Sequence, residues 1–220
     1  MPGFSTALAP ARKRRGEGHT RRDEILQAAK ELFLSEGYGA TTIRKIADRV
    51  GVSAPALYLY FSDKEAILIA LCDQTFGFLI ERIGDLGKQG LEPREQLRRF
   101  GEAYVRFGLE HPQEYWLIFM SGITPKKIAE QGGHRARNLQ PGQPGSTGAV
   151  AFQHVVKLLR EVEASGVRLS YPHETAAELL WMALHGLVAA LVNNPDFPWT
   201  NRDVLIQGML DIGLKGVLAD

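Results

Sequence analysis

Between residues 41 and 68 the chain reads TTIRKIADRVGVSAPALYLYFSDKEAIL, and this stretch constrains the fold more than any other. Thr41 or Thr42 offers an N-cap. Ile43, Ile46, Ala47 and Val50 then recur at spacings of three and four, the stripe of a helix buried on one side. A glycine turn at 50–52 follows. Ser53 can cap the next segment, whose first turn tolerates Pro55 because those N–H groups have no intrahelical partner. In the helix expected over 53–60, Leu57 and Phe61 fall on one face and anchor it, while Ala54, Pro55 and Tyr58 fall on another. Residues 62–65, SDKE, have capping-box form directly before Ile67, Leu68, Leu71, Thr75, Phe78 and Leu79, so a long helix runs from about Asp63 into the low eighties. Two short helices joined by a glycine-containing turn make a helix-turn-helix. Its second helix is uncharged, too short for a core helix and too apolar for a solvated one. A helix lying in a DNA major groove meets both conditions. Small residues permit close approach, Ala or Pro can touch a thymine methyl, and the Tyr58 hydroxyl can reach a phosphate. The competing reading is a helical hairpin of an ordinary bundle.

Helical periodicity extends to both sides. Upstream, Ile25, Leu26, Ala29, Leu32 and Phe33 form one stripe that Gly37 ends. Downstream, helices are expected near 93–109, 112–121, 148–165, 172–193 and 201–218. No convincing period-2 alternation appears, so the fold class is all-α: an N-terminal three-helix DNA-binding domain and a C-terminal helical domain. The expected divisions are a disordered basic arm over 1–19, a helix-turn-helix domain over 20–66 and a second domain over 67–220. Within the last, 124–148 reads as a mobile loop rich in Gly, Pro, Gln and Arg. Its Lys126, Lys127, Arg135 and Arg137 are taken as solvated.

Charge supports the first domain. The whole chain carries a net charge of +1, but the residues through Lys64 hold eleven Lys/Arg against seven Asp/Glu. Most of that excess lies in ARKRRGEGHTRR, an arm suited to a polyanion or simply to solubility. The single cysteine, Cys72, sits in a helical apolar pattern and permits no internal disulfide, which fits a cytoplasmic setting. No signal peptide is expected, and no apolar run is read as approaching a membrane span. Enzyme readings find little. His111, His154 and His185 fall on different helices without metal-ligand spacing, and nucleophile-elbow and phosphate-loop motifs are missing. No cofactor and no metal are expected.

Residues 41–68 resemble the DNA-binding domain of tetracycline-repressor (TetR) family regulators. The shared elements are the T-T-x-x-x-I-A start, the G-V-S turn, the L-Y-x-x-F recognition helix and the Lys64–Glu65 opening of the fourth helix. With the first helix, the resemblance covers about 20–68. It implies a dimeric all-α transcription factor, usually a repressor, with a variable ligand-binding domain. Carried over by position, Thr42, Tyr58 and Lys64 look like phosphate contacts. Arg44 matches a position that reads bases, and Ser53, Ala54 and Pro55 occupy groove-facing places. Leu59 and Tyr60 depart from the polar or His residues commoner in relatives. Arg44 is then the one strong hydrogen-bonding reader in this region, and Tyr60 joins the candidate contacts.

LLWMALHGLVAAL, residues 179–191, resembles the tryptophan–histidine–glycine signature of one C-terminal domain type in this family, with Trp181, His185 and Gly186 as its members. Trp181 and His185 share a helix face. They could line an effector pocket, or His185 could be a core histidine. The aromatic run Tyr115, Trp116, Phe119 and Met120 reads equally as core or as cavity border. The expected partners are a palindromic DNA operator, a second copy of the chain joined through the last two helices, and a small, mostly apolar effector. A helical protein-interaction module without sequence-specific DNA binding is the alternative.

Overall fold

The computed structural model describes residues 17–123 and 147–219; the basic arm ahead of residue 17 and the loop expected over 124–148, apart from its last two residues, lie outside them. Contacts divide the chain into two units, one ending at Ser62 and the other beginning at Asp63.

The first unit contains α1 (Glu17–Ser35), α2 (Ile43–Val50) and α3 (Ala54–Tyr58). Helix α1 begins at Glu17, inside the segment expected to be disordered through residue 19. The whole expected stripe of α1, Ile25, Leu26, Ala29, Leu32 and Phe33, is buried. Gly37 turns the chain at φ 85°, a backbone region that costs a glycine little. The threonine pair divides its work. Thr41 is fully buried and its hydroxyl donates to the Leu32 and Gly37 carbonyls, while exposed Thr42 is the N-cap of α2 and accepts from the Lys45 amide. Helix α2 ends at Gly51 in the left-handed region (φ 74°).

Helix α3 is shorter than the expected 53–60 span. After Tyr58 the amides of Leu59 and Tyr60 bond three residues back, to Ala56 and Leu57, so the helix tightens and stops. Leu57 and Phe61 are buried, as their face requires, and Arg22 lies over the Phe61 ring at 4.9 Å.

The second unit opens with α4 (Lys64–Gly87). Its cap is Asp63, whose carboxylate accepts from the Ala66 amide at 2.7 Å, one position beyond the Ser62 expected from the capping-box pattern. A carboxylate at a helix N-terminus also meets the dipole favourably. Then come α5 (Pro93–Glu110), α6 (Pro112–Tyr115) running into a π-turn at Trp116–Met120, α7 (Thr147–Ala164), α8 (His173–Asn193) and α9 (Arg202–Val217). Helix α5 lies centrally and packs on α4, α7, α8 and α9. A two-residue antiparallel pair, β1 (Arg168–Leu169) with β2 (Leu218–Ala219), ties the chain's last residues to the segment before α8. Two residues are too few to leave a period-2 signal.

One expectation needs correction. Helix α8 is long and apolar enough to cross a membrane by length and composition. In this fold its Ala176, Ala177, Leu180, Leu184, Leu187, Val188 and Leu191 are buried against the neighbouring helices, so these residues serve the core.

Candidate functional site

Two places carry chemistry, one in each unit. In the first unit, Leu57 holds α3 from below and leaves its other sides free. Tyr58 is 54% exposed, Leu59 84% and Tyr60 38%. Pro55 and Ser53 are exposed and Ala54 is half-buried. Ser53 caps the helix by accepting from the Ala56 amide at 3.3 Å. No charged residue interrupts this surface between Gly51 and Ser62.

The basic residues of α2 differ from one another. Lys45 pairs with Glu36 at 2.5 Å and Arg49 with Glu31 at 3.2 Å. Arg44 is exposed, and among the described residues its guanidinium has no hydrogen-bond or ion-pair partner. A solvated, unpaired guanidinium beside an uncharged surface is free to form a bidentate contact. In the second unit, Lys64 opens α4 half-buried, and burial lowers the pKa of its ammonium.

The second place is a cavity of about 260 Å³ inside the second unit. Phe76 and Leu79 of α4, Phe100 and Tyr104 of α5, Leu184 of α8 and Met209 of α9 are among its walls. Of the six residues singled out in the sequence, Phe119 and Trp181 line it. Tyr115 and His185 stand behind them, joined to the wall by hydrogen bonds. Trp116, 38% exposed, and Met120 are not on the wall. The π-turn closes through the Ser121 amide and the Trp116 carbonyl at 2.9 Å. Near this turn the Phe119 ring stands 4.8 Å from Tyr115 and 6.4 Å from Trp181.

A chain of polar atoms crosses this apolar ground. The Trp181 indole N–H donates to the Tyr104 hydroxyl at 3.1 Å. Tyr104 and Tyr115 share a hydrogen bond at 2.9 Å, and the Tyr115 hydroxyl lies 2.5 Å from His185 Nδ1. Burial pushes the Tyr104 hydroxyl up to about 12 and raises Tyr115 further, with the neighbouring Tyr104 adding to the rise. Both phenols therefore stay protonated. Burial lowers the His185 pKa, which favours the neutral ring. Tyr104 was not singled out in the sequence; only its place on the inner face of α5 distinguishes it, and that face reads as ordinary core. Cys72 is buried and its thiol is pushed up to about 12, chiefly by burial, so it is inert. Among the described residues no group of three or more His, Cys, Asp or Glu side chains could hold a metal.

Known proteins share both halves of this architecture. A family model of bacterial regulatory proteins, tetR family, matches residues 25–71, and a model of the tetracyclin repressor-like C-terminal domain matches 97–211. The HTH-type transcriptional activator FasR of Mycolicibacterium smegmatis is 35% identical over 112 residues, 50% of this chain and 51% of that protein. The HTH-type transcriptional repressor KstR2 of Mycobacterium tuberculosis is 34% identical over 116 residues, 53% of this chain and 56% of that one. The chain thus spans about half the length of the curated relatives it matches. Among solved structures, the regulator FadR from Bacillus subtilis in complex with stearoyl-CoA superposes with a TM-score of 0.65 at 22% identity, over 88% of this chain and 98% of that one. With its helix-turn-helix matched by one model and more than half of its length by the other, the chain belongs to the tetR family of bacterial regulatory proteins.

Proposed function

We propose that the protein is a ligand-responsive transcription repressor of the bacterial cytoplasm, which binds a palindromic operator as a dimer and is released by a small, mostly apolar effector. The observation that carries the reading is the surface of α2 and α3: an uncharged, exposed helix together with an Arg44 that is unpaired among the described residues. Thr42, Tyr58, Tyr60 and Lys64 act as backbone contacts, and Arg44, Ser53, Ala54 and Pro55 face the groove. Thr42 spends its oxygen on capping and keeps its proton for a phosphate.

The effector reading rests on the cavity, whose wall is almost wholly hydrocarbon and aromatic. FadR of Bacillus subtilis, which shares the fold, was solved with a long acyl thioester, and this supports a similar class of molecule here. The tryptophan–histidine–glycine assignment stays part of this proposal, supported by Trp181 and His185 with ring centroids 5.6 Å apart. The dimer reading rests on α8 and α9, which leave apolar side chains in solvent: Met182 is 54% exposed, Val204 65% and Ile212 67%. A twofold dimer requires half-sites about one helical turn or a multiple apart.

The test is selection of duplexes from fragmented source DNA by the purified protein, followed by transcription in vitro from a promoter bearing the selected site. Recovery of a palindrome and loss of transcript on adding protein are expected. A random pool would sink the DNA reading and leave the helical interaction module. FasR, an activator, favours one second reading, and a rise in transcript would establish it.

A further inference from the structure

We propose that the cavity reads a single hydrogen-bond acceptor on an otherwise apolar effector through the Tyr104 hydroxyl, and that this reading reverses the hydrogen-bond chain running to His185. The inference rests on the cavity being the effector site. Among the described side chains on its wall only Tyr104 and Trp181 carry an O–H or N–H group. The Trp181 proton has one destination, Tyr104 Oη. The other protons can be arranged in two ways.

In the first arrangement Tyr104 donates to Tyr115, and Tyr115 donates to His185 Nδ1, whose ring then carries its proton on Nε2. Every donor between Trp181 and Nδ1 is satisfied, and the Nε2–H of the half-buried ring is left to solvent. In the second, His185 Nδ1–H donates to Tyr115, Tyr115 donates to Tyr104, and Tyr104 accepts from both Trp181 and Tyr115. The Tyr104 proton then has no acceptor among the described residues and is left to the cavity. An orphaned buried donor is costly, so the empty protein adopts the first arrangement. A ligand carbonyl beside Tyr104 removes that cost and selects the second. No bond of the chain is lost in the reversal, because each of its three contacts survives with its donor exchanged or unchanged.

The far end permits the change. His185 is half-buried, and among the described residues its Nε2 has no partner. The ring can therefore pass from the Nε2–H to the Nδ1–H tautomer by exchange with solvent. Two hydroxyls rotate, one tautomer changes, and the number of bound protons stays the same. The effector class is accordingly a hydrocarbon body interrupted by a carbonyl, such as a ketone or an acyl derivative. A plain hydrocarbon fills the space without moving the chain.

The probes are n-decane and the internal decanone isomers, which carry the carbonyl at successive positions along the same chain. Their binding is followed by calorimetry, and the His185 nitrogens by NMR on protein labelled in its imidazoles, assigned by their loss in His185→Gln. Nδ1 of His185 should be unprotonated in the empty protein and with decane, and protonated with the best-bound decanone. Tyr104→Phe should weaken that decanone about tenfold relative to decane, the size of one neutral hydrogen bond. Decanone binding that leaves Nδ1 unchanged, or a Tyr104→Phe effect equal for both probes, would overturn the proposal, and the first of these needs only the wild-type protein. Failure of the wild type to bind any of these probes removes the effector cavity itself.

Discussion

Arg44 and Lys45 are sequence neighbours with the same charge and opposite situations. Lys45 is held by Glu36 and also donates to the Ala40 carbonyl, so its ammonium is already used in holding α2 to the chain before it. Among the described residues Arg44 has no such partner. Replacing Arg44 with alanine should cost about 1–3 kcal/mol on the preferred operator and flatten selection at one base pair, while Lys45→Ala leaves selection unchanged. Binding to a panel of single-position operator variants measures both. His185 carries the second expectation at this scale. Its folded pKa lies below the ordinary 6.5 because burial opposes the charged ring. As pH falls through about 6.5 the unfolded chain takes up a proton that the folded protein refuses, so stability is present above that pH and lost below it. Urea midpoints taken from about pH 8 to 5 should fall less steeply in His185→Gln than in the wild type. Part of the slope persists, because His154 is shifted in the same direction, by burial first and by Lys157 next.

At the scale of elements, legibility in the sequence followed the strength of the periodic signal. The α1 stripe and the Leu57–Phe61 anchor could be read because three- and four-residue spacing fixes which side chains meet. Ends were harder. Ser62 and Asp63 are both good caps, and the sequence does not decide between them; in the fold Asp63 has the extended backbone and the Ala66 amide within reach. The early stop of α3 follows from backbone bonding that side-chain pattern does not encode. The cavity was legible only where aromatics clustered. Phe119 and Trp181 belonged to aromatic groups that read as core or as cavity border, whereas Leu97, Phe100 and Tyr104 look like any core face of α5. The exposed face of α8 and α9 could be read only in part. Of the apolar residues on α9, Leu210 and Leu214 are buried within the protomer, while Val204, Gly208 and Ile212, four apart, are left towards solvent or half-covered. A Cβ at Gly208 meets nothing within 4 Å, so the first atom of an added side chain has room in the protomer. Gly208→Arg should therefore keep the helical content of the wild type and convert a dimer to a monomer, read by circular dichroism and light scattering. A dimer of unchanged strength in this variant would move the interface off α9.

At the scale of the whole molecule the question is how an occupied cavity could change the affinity for DNA. The expected link between the two sites is helix α4. Its first residue, Lys64, follows the helix-turn-helix unit by two positions in the chain, and its Phe76 and Leu79 form part of the cavity wall. The expectation is that a displacement of Phe76, midway along this helix of 24 residues, reaches the cap at Asp63. Phe76 stands 5.5 Å from Phe119, edge to face, so a ligand that moves the π-turn also bears on α4. A ligand acts only through a difference in its affinity for the two arrangements of the protein. Linkage then makes the effect reciprocal: operator duplex should weaken effector binding by the same factor by which effector weakens operator binding, typically about 5–150-fold. The measurement is calorimetric titration of a bound decanone with and without the selected duplex. Phe76→Ala should reduce the coupling while both sites still bind, because it removes the contact between α4 and Phe119 and spares the surface of α3. Equal decanone affinities in the two titrations would leave DNA binding and cavity binding as independent properties of the same chain, and α4 as a structural connection alone.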